Sequence, residues 1–456
     1  MLHVIILAAG QGKRMYSATP KVLHPIGGKA MLARVVAAAQ LLNPVAIHVI
    51  IGHGAEQIKQ ALPELPVNWI IQQQQLGTGH AVMQALPFIM SNSQVLILSG
   101  DVPLITGYTL QALLSKVDQT HPLALLLSTV SEPFGLGRIV RDQYSRIAAI
   151  IEEKDATHEQ RKIQEIYTGI CCVHAEVLAR WLPRLSNENA QQEYYLTEII
   201  SMAVNEGIDI ASLITTNHLE IQGVNNRLQL HQLERDWQQR LTNQLLLTGV
   251  SLADSSRLDI RGELICGQDV FIDVNNVFIG HVIVGDGCRI GPNCVITNST
   301  LAENCVIHPN SVIDGCQLGH ACEVGPFARL RPATVLADQS KIGNFVETKN
   351  AVLGSGSKAS HLSYLGDVEI GKQVNIGAGT ITCNYDGAFK HKTIIEDGAF
   401  IGSDTQLVAP VIIGENATVG AGSTIRRNVP PGELTLTESK QKTLYGWVRP
   451  KKKPPA

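Results

Sequence analysis

The sequence predicts two folded regions of different class: an α/β domain of Rossmann-like type at residues 1–224 and a parallel β-helix of hexapeptide repeats at residues 251–456. A linking helix at residues 225–250 joins them. The chain has 456 residues, which is too long for one ordinary hydrophobic core. Short apolar runs alternate with helical stretches as far as about residue 220. Beyond about residue 251, an aliphatic residue recurs at about every sixth position.

Four short aliphatic runs are predicted to be strands of the N-terminal domain. They are residues 3–8, 45–51, 95–98 and 123–129. Because helical stretches separate them, we expect a mostly parallel sheet with helices on both faces. Ligands bind at the carboxyl ends of the strands in that architecture, so the residues after each strand are the first candidates for a site.

A polar segment is predicted to form the linking helix. Asn225 or Asn226 is a suitable N-cap, and Gly249 is a suitable terminator. The apolar residues of this segment repeat at helical spacing, at Leu233, Trp237, Leu241 and Leu245. The segment therefore reads as a connecting arm between two domains.

The C-terminal repeat keeps one frame over most of its length, in steps of six with occasional fives. The repeat positions are Val284, Ile290, Ile296, Leu301, Ile307, Ile313, Leu318, Val324, Leu330, Leu336, Ile342, Thr348, Leu353, Ala359, Leu365, Ile370 and Ile376. A segment at 383–392 interrupts this frame and is predicted to be a loop, after which the frame resumes at Ile401. This period is typical of a parallel β-helix. A collagen-like structure is excluded because glycine does not occupy every third position.

Composition narrows the classes of partner. The net charge is −3 and the signs are mixed, so no basic field for nucleic acid is expected. No apolar run approaches the roughly 18 residues of a membrane span. The N-terminal run MLHVIILAAG lacks the basic residues that precede a secretion signal, so we expect a buried strand and a cytoplasmic protein.

The nine cysteines include no C-x-x-C pair, which argues against a disulfide framework and a structural zinc site. Five of them lie two residues before repeat positions of the coil: Cys288, Cys294, Cys305, Cys316 and Cys322. This regularity favours small inward side chains that pack inside the coil.

A glycine-rich stretch, LAAGQGKRM, follows the first predicted strand. Gly10 and Gly12 allow backbone N–H groups to approach phosphate oxygens, and Arg14 and Lys21 supply positive charge. The third glycine of a dinucleotide fingerprint is missing, and no G-K-[ST] of a P-loop follows. Taken alone, the stretch is equally compatible with an ordinary turn that carries solvated basic residues.

Two further segments favour a nucleotide pocket. Asp101 follows the predicted strand 95–98, where a carboxylate can hold a hard cation against phosphate oxygens. The segment QQQQLGTGHA (72–81) is a glycine-rich loop between a predicted strand and a predicted helix. Together with the first stretch, these segments predict a nucleotide site that uses Mg²⁺.

The repeat frame also predicts which side chains of the coil are neighbours. Arg331 and Lys349 both follow repeat positions one full coil apart, so they would stack and attract a phosphate. Two solvated surface cations are the ordinary alternative. His361 lies two residues after Ala359, and the same column would hold Ala378, Ser403 and Ala421. Small side chains beside a histidine would leave a groove wide enough for an acyl-pantetheine chain.

Motifs along nearly the whole chain are similar, in order, to those of one family. They include LAAGQGKRM, PKVLH, QQQQLGTGHA, GDVPL, EEKDA and YYLTE, then GPFARLRP, GNFVE, SHLSYLGD, NIGAGTITCNYDG and GSDTQLVAP in the coil. The chain resembles the bacterial bifunctional N-acetylglucosamine-1-phosphate uridyltransferase/glucosamine-1-phosphate acetyltransferases. The resemblance implies a left-handed coil and a homotrimer whose product feeds cell-wall synthesis.

The resemblance implies two reactions in sequence. The coil would transfer acetyl from acetyl-CoA to glucosamine 1-phosphate. The N-terminal domain would then transfer a uridylyl group from UTP to N-acetylglucosamine 1-phosphate, releasing pyrophosphate. Arg14 and Lys21 would face the triphosphate, and Asp101 and Asn225 would bind Mg²⁺. Nucleotide and sugar contacts would come from Leu7, Ala9, Gly10, Gln72, Gly77, Thr78, Gly137, Glu152 and Tyr167.

For acetyl transfer, the resemblance implies that His361 is the general base. Residues around the sugar phosphate would be Arg331, Lys349, Tyr364, Asn375 and Lys390. Residues along the acetyl-CoA groove would be Ala378, Asn384, Tyr385, Ser403 and Ala421.

Three positions depart from the family's pattern. Tyr167 stands where the family usually has asparagine, so the sugar contact at that position is left open. Ser99, before Gly100 and Asp101, is a milder variation. Glu438 stands where the family has an arginine, so Lys440, Lys442 or the lysines at 451–453 are the remaining candidates to meet the CoA phosphates.

Two other classes of function remain open on the sequence. One is a monofunctional sugar-1-phosphate nucleotidyltransferase whose coil is structural or regulatory. The other is a non-enzymatic solenoid that binds a partner. His361 and the 383–392 loop argue against the first, and Asp101 with the glycine-rich loop argues against the second.

Overall fold

The computed structural model describes residues 1–438 and 440–450. The chain forms two compact units, Met1–Gln239 and a second that begins at Arg240. The boundary falls inside a helix, Arg227–Leu247, whose first turn is capped by the Asn226 side chain through the Gln229 N–H at 2.9 Å. The domain limits at 224 and 250 stay predictions.

The first unit is built on a nine-stranded sheet. Its strands are β1 (Leu2–Ala8), β4 (Ala46–Ile51), β5 (Asn68–Ile71), β6 (Gln94–Ser99), β7 (Leu123–Thr129), β8 (Gly137–Arg141), β9 (Ile147–Ile151), β10 (Glu165–His174) and β11 (Ala211–Ile214), and the short hairpin β2 (Pro25–Ile26) with β3 (Lys29–Ala30) lies apart. The helices are α1 (Met31–Gln40), α2 (Ala55–Ala61), α3 (Thr78–Ala85), α4 (Gly107–Leu114), α5 (Ala175–Trp181), α6 (Glu198–Asn205) and α7 (Arg227–Leu247).

The main strand order is β11-β7-β10-β6-β1-β4-β5. Neighbours are parallel except around β10, which runs antiparallel to β6, β7 and β8. Separate apolar clusters cover the two faces, one containing Val4 and Ile6 and the other Ile5. The alternation follows from the strand period of two, which buries a central strand such as β1 on both faces.

The second unit is a parallel coil of short strands in two large sheets. The eleven strands of the first coil sheet are Ser251–Leu252, Phe271–Ile272, Arg289–Ile290, Val306–Ile307, Glu323–Val324, Lys341–Asn344, Lys358–His361, Asn375–Ile376, Phe400–Ile401, Thr418–Val419 and Leu434–Thr435. The second coil sheet holds Leu258–Cys266, Asn276–Val284, Val295–Thr297, Thr300–Leu301, Val312–Asp314, Gln317–Leu318, Arg329–Leu330, Val335–Leu336, Glu347–Leu353, Tyr364–Ile370, Ile381–Cys383, Thr393–Ile395, Gln406–Val408, Val411–Ile413 and Thr424–Ile425.

Every predicted repeat position of the coil is buried. The polar repeat residue Thr348 is also buried. Its hydroxyl forms a hydrogen bond of 2.9 Å with the Thr334 hydroxyl inside the coil. The five coil cysteines are also buried, and the Cys305 thiol donates to the Gly319 carbonyl at 3.1 Å. The interior of the coil is therefore filled by the inward residue of each hexad, and the cysteines pack there as small side chains.

Register shows how the loop leaves the coil. Ala359 pairs with Ile376, and Ile376 pairs with Ile401, so the rungs continue in frame across the insertion. In the parts of the chain that the structure describes, no helix is long and apolar enough to cross a membrane.

Candidate functional site

The N-terminal pocket lies where β1 and β6 end, as the fold class predicts. It is a cavity of about 270 Å³. Its lining includes eight residues proposed from the sequence: Leu7, Ala9, Gly10, Lys21, Gln72, Gly77, Thr78 and Asp101. Arg14 is exposed in the 3-10 turn Lys13–Met15 and is not among the lining residues. Ser99, the milder variation before Asp101, also lines the cavity.

A cationic side chain joins the two residues proposed to bind metal. The Lys21 ammonium forms a short ion pair with the Asp101 carboxylate and donates to Asn225 Oδ1 at 3.3 Å. Both side chains of the pair are largely shielded, with 14% of Lys21 and 21% of Asp101 exposed. The carboxylate and the amide oxygen therefore point at one place.

Close packing fixes the approach of Lys21. Gly12 has φ +59, and a Cβ on it would lie 2.9 Å from Lys21 Cβ. Only glycine therefore lets the two segments come so near in this conformation.

The glycine-rich loop is held by a distant part of the chain. Gly77 has φ +108, and a Cβ there would lie 2.6 Å from the Tyr194 carbonyl. The Tyr194 N–H donates to Leu76 O at 2.8 Å, and the Leu196 N–H donates to the Thr78 hydroxyl at 3.0 Å. Residues of the YYLTE motif therefore hold the edge of the pocket, although they are distant from the glycine-rich loop in the sequence.

The three proposed sugar contacts lie side by side. Tyr167 pairs with Gly137, and Ile151 pairs with Arg138, so Glu152 continues beside Gly137. Burial raises the pKa of Glu152, while a hydrogen bond from the Thr197 hydroxyl at 3.3 Å opposes that shift. Burial likewise raises the pKa of Tyr167, so its phenol stays protonated.

The proposed metal site would have few protein ligands. Among the described residues, no group of three or more His, Cys, Asp or Glu side chains is arranged to hold a metal ion. Asp101 and Asn225 offer two hard oxygens, the donor type that Mg²⁺ prefers, and phosphate oxygens and water usually complete such a shell. The residues therefore fit a magnesium ion that is shared with a nucleotide.

In the coil, His361 stands at the head of a column of small residues. The pairs Ala359 with Ile376, Ile376 with Ile401 and Ile401 with Val419 place Ala378, Ser403 and Ala421 successively beside it. Backbone bonds from Asp404 N to Ala378 O and from Gly422 N to Ser403 O continue this register. Neighbouring rungs lie about 4.8 Å apart, so these small residues form one continuous column.

Asn344 orients the ring of His361. Its side-chain Oδ1 lies 2.6 Å from His361 Nδ1, on the rung below. With Nδ1–H donating to that oxygen, the lone pair of the neutral ring is on Nε2, on the exposed side. Sequence analysis missed Asn344, although its position in GNFVE, one rung before the histidine, was a usable signal.

Three cations gather beside the second coil sheet, and one of them, Lys390, comes from the inserted loop. Arg331 and Lys349 occupy adjacent rungs, as the stacking argument predicts. The ammonium of Lys390 and the charge of Arg331 lower the pKa of Lys349. Arg331 is also paired with Glu347 at 2.9 Å. Mutual repulsion of these cations makes the position favourable for a phosphate.

The proposed acetyltransferase residues fall on both sheets. His361 and Asn375 belong to the first coil sheet, and Tyr364 and Lys349 belong to the second. Tyr364 pairs with Glu347 on the adjacent rung, and Glu347 is the residue that forms the ion pair with Arg331.

The inserted loop is a small hairpin. Tyr385 pairs with Lys390 in an antiparallel bridge, and His391 N donates to Asn384 O at 2.8 Å. The Asp386 carboxylate closes the turn by accepting from Ala388 N and Phe389 N, at 2.8 and 2.7 Å. The Asn384 amide donates to Asp367 on the coil. The hairpin thereby carries Asn384, Tyr385 and Lys390 on one frame.

The C-terminal candidates are less defined. Glu438, Lys440 and Lys442 are exposed, and the lysines at 451–453 lie outside the described residues.

Known proteins are similar to this chain along its whole length. The family model of the MobA-like NTP transferase domain matches residues 4–185, that of the GMPPB C-terminal domain matches 260–355, and that of the bacterial transferase hexapeptide matches 392–427. A protein of Legionella pneumophila (strain Lens), "Bifunctional protein GlmU", is 63% identical over 99% of both chains. Proteins of the same name from Marinobacter nauticus and Pseudomonas entomophila are 55% and 52% identical over 99% of each chain. The chain therefore belongs to the family of bifunctional GlmU proteins.

Proposed function

We propose that the N-terminal pocket transfers a uridylyl group from UTP to N-acetylglucosamine 1-phosphate and that the coil acetylates glucosamine 1-phosphate with acetyl-CoA. Its membership of the GlmU family shows that the chain is a bifunctional uridyltransferase and acetyltransferase of UDP-N-acetylglucosamine synthesis. Two separate polar clusters support the assignment of one reaction to each unit. One is Lys21 with Asp101 and Asn225, and the other is His361 with Asn344.

For uridylyl transfer, the residues position reactants and offset charge. The sugar phosphate oxygen attacks the α-phosphorus of UTP, and the bond to pyrophosphate breaks. Arg14 and Lys21 meet the phosphates, while Gly10 and Gly77 let backbone approach the nucleotide. Magnesium, when bound by Asp101 and Asn225, neutralises phosphate charge.

Sugar recognition is assigned to the neighbouring strands β8, β9 and β10. Glu152, whose pKa is raised by burial, and the protonated Tyr167 hydroxyl offer hydrogen bonds to sugar hydroxyls beside Gly137. The space left by Gly137 supports this assignment, because a side chain there would fill the gap next to Glu152.

For acetyl transfer, His361 takes a proton from the substrate. The amine of glucosamine 1-phosphate is an ammonium group at neutral pH and has no lone pair for attack. Nε2 of His361 accepts one proton, and the free amine attacks the thioester carbonyl. The C–S bond then breaks, and the nitrogen gives up a second proton to the leaving sulfur, so coenzyme A leaves as a free thiol. Arg331, Lys349 and Lys390 hold the sugar phosphate, with Tyr364 and Asn375 alongside. Acetyl-CoA lies along Ala378, Ser403 and Ala421 against Asn384 and Tyr385.

An exposed apolar column supports the proposal of a homotrimer. The rings of Phe327 and Phe345 stack with centroids 5.3 Å apart, and both are half exposed. Leu362, on the next rung, is 60% exposed and directly follows His361. Neighbouring copies of the chain cover this column, so each site is completed at a subunit boundary.

Light scattering tests the trimer. Phe345 has a φ of +57, a conformation that asparagine tolerates. Phe345→Asn therefore removes the apolar ring without straining the backbone. We expect the variant to lose the trimeric mass of the parent protein. An unchanged mass would contradict the assignment of this column to the interface.

Two product assays test the proposed function. Free thiol should appear from acetyl-CoA only when glucosamine 1-phosphate is present, and pyrophosphate should appear from UTP only with N-acetylglucosamine 1-phosphate and Mg²⁺. Pyrophosphate without thiol would instead support a monofunctional nucleotidyltransferase. Neither product would support a binding protein.

A further inference from the structure

One ammonium group occupies the position where two metal-binding oxygens converge. Lys21 Nζ forms its short ion pair with Asp101 and also donates to Asn225 Oδ1 at 3.3 Å. These are the same two oxygens that are assigned to magnesium. The site is therefore filled by a side chain of the protein itself.

The surroundings hold Lys21 in that position. It lies in the 3-10 turn Lys21–Leu23 directly after Pro20, and its Cβ is in close contact with Gly12. The ion pair with Asp101 is mostly shielded from water, so solvent screens it less than an exposed surface pair.

A divalent cation and this ammonium compete for the Asp101 Oδ2 and Asn225 Oδ1 atoms. At such separations the two positive charges repel, and the single carboxylate cannot neutralise both. An incoming metal must displace Lys21, and the ammonium then needs another anionic partner. The cavity that Lys21 lines also contains the backbone of Gly10 and Gly77, where the nucleotide is assigned, and its triphosphate would supply such a partner.

We infer that Lys21 is a resident counter-ion that closes the metal site in the free protein and leaves it for the triphosphate when the nucleotide binds. This inference rests on the proposed uridylyl function. It makes metal and nucleotide binding mutually supportive, because the nucleotide supplies the new partner that Lys21 needs. It also gives Lys21 two roles, as the counter-ion of Asp101 before the metal binds and as a phosphate contact afterwards.

Binding of Mn²⁺ alone, without nucleotide, tests the inference. Free Mn²⁺ is counted by electron paramagnetic resonance during titration of the full-length protein and of Lys21→Met. We expect the variant to bind Mn²⁺ at least about tenfold more tightly, since a tenfold change requires only about 1.4 kcal/mol. Lys21→Arg keeps a cation in place and should bind Mn²⁺ as weakly as the parent. Lys13→Met removes a neighbouring charge and should also leave binding unchanged.

Further arms fix the location and separate the possible failures. Asp101→Ala in the Lys21→Met background should abolish the gain, and Lys21→Gln replaces Lys21→Met if thermal melting shows that the latter does not fold. Equal Mn²⁺ affinity in the parent and Lys21→Met, or a gain that survives Asp101→Ala, would overturn the inference. Pyrophosphate release by the parent with UTP is measured in parallel, so failure of the proposed function is seen separately.

Discussion

Replacement of Asn344 tests how His361 is made a base. Asn344 Oδ1 lies 2.6 Å from His361 Nδ1, and because an amide oxygen only accepts, this contact favours the ring orientation and tautomer in which Nδ1 carries the proton. A neutral hydrogen bond of this kind contributes about 0.5–1.5 kcal/mol net. If that contribution is lost from the transition state, Asn344→Ala lowers the kcat of acetyl transfer roughly two- to tenfold. Removal of the base itself, in His361→Ala, should cost about 10²–10⁴-fold.

A thiol-release assay with saturating glucosamine 1-phosphate separates orientation from scaffolding. We expect the KM for acetyl-CoA, the uridylyl reaction and the melting temperature of Asn344→Ala to stay near those of the parent. Gln317→Ala, an exposed position on another coil strand, serves as the matched control. Asn344→Asp should move the acid limb of the pH profile to higher pH, because a carboxylate stabilises the imidazolium form. A KM that rises as much as kcat falls, or an unmoved profile in Asn344→Asp, would refute the orienting role.

Four other outcomes are expected. Asp101→Ala should lower UTP-dependent pyrophosphate release by more than about tenfold, or 1.4 kcal/mol of barrier, and spare thiol release; a smaller loss would exclude Asp101 as the main metal ligand. Lys349→Ala should raise the KM for glucosamine 1-phosphate about tenfold without changing that for acetyl-CoA, and equal changes in both would contradict the phosphate role. A chain ended after Val250 should keep uridylyl transfer and lose acetyl transfer, and any thiol release by it would show that the coil is not the acetyltransferase. Burial and the adjacent His3 lower the folded-state pKa of His48 to about 4, so the stability contributed by the neutral ring is present above pH 6.5 and is lost as the pH falls toward 4; chemical denaturation should show a decline of at most about 3 kcal/mol, which His48→Leu should reduce but not abolish because burial also lowers the pKa of His3.

The coil was largely predictable because its pattern is local and repetitive. Each hexad places its aliphatic residue inward independently of the neighbouring hexads. The repeat positions predicted from the sequence are accordingly the buried positions of the coil. The column that continues from His361 to Ala378, Ser403 and Ala421 depended on the assumption that the repeat frame continues across the 383–392 loop. The pairing of Ile376 with Ile401 confirms that assumption.

The N-terminal site was predictable only in part. Strand ends mark where Gly10 and Asp101 lie, since apolar runs and their terminators are written in consecutive residues. The direction of a strand relative to its neighbours is not written in consecutive residues. The antiparallel course of β10 and the antiparallel hairpin of β8 with β9 were therefore not predicted. Contacts between distant segments were also missed, including Tyr194 against Gly77 and Lys21 between Asp101 and Asn225. Such contacts depend on three-dimensional approach, which no spacing in one sequence reports.

A single reaction mixture tests whether one chain performs both reactions. The purified protein is supplied with glucosamine 1-phosphate, acetyl-CoA, UTP and Mg²⁺, and thiol, pyrophosphate and UDP-N-acetylglucosamine are measured together. We expect equal amounts of all three products, with none of the nucleotide sugar formed when acetyl-CoA is omitted. Formation of UDP-N-acetylglucosamine only from added N-acetylglucosamine 1-phosphate, with no thiol released, would contradict this expectation.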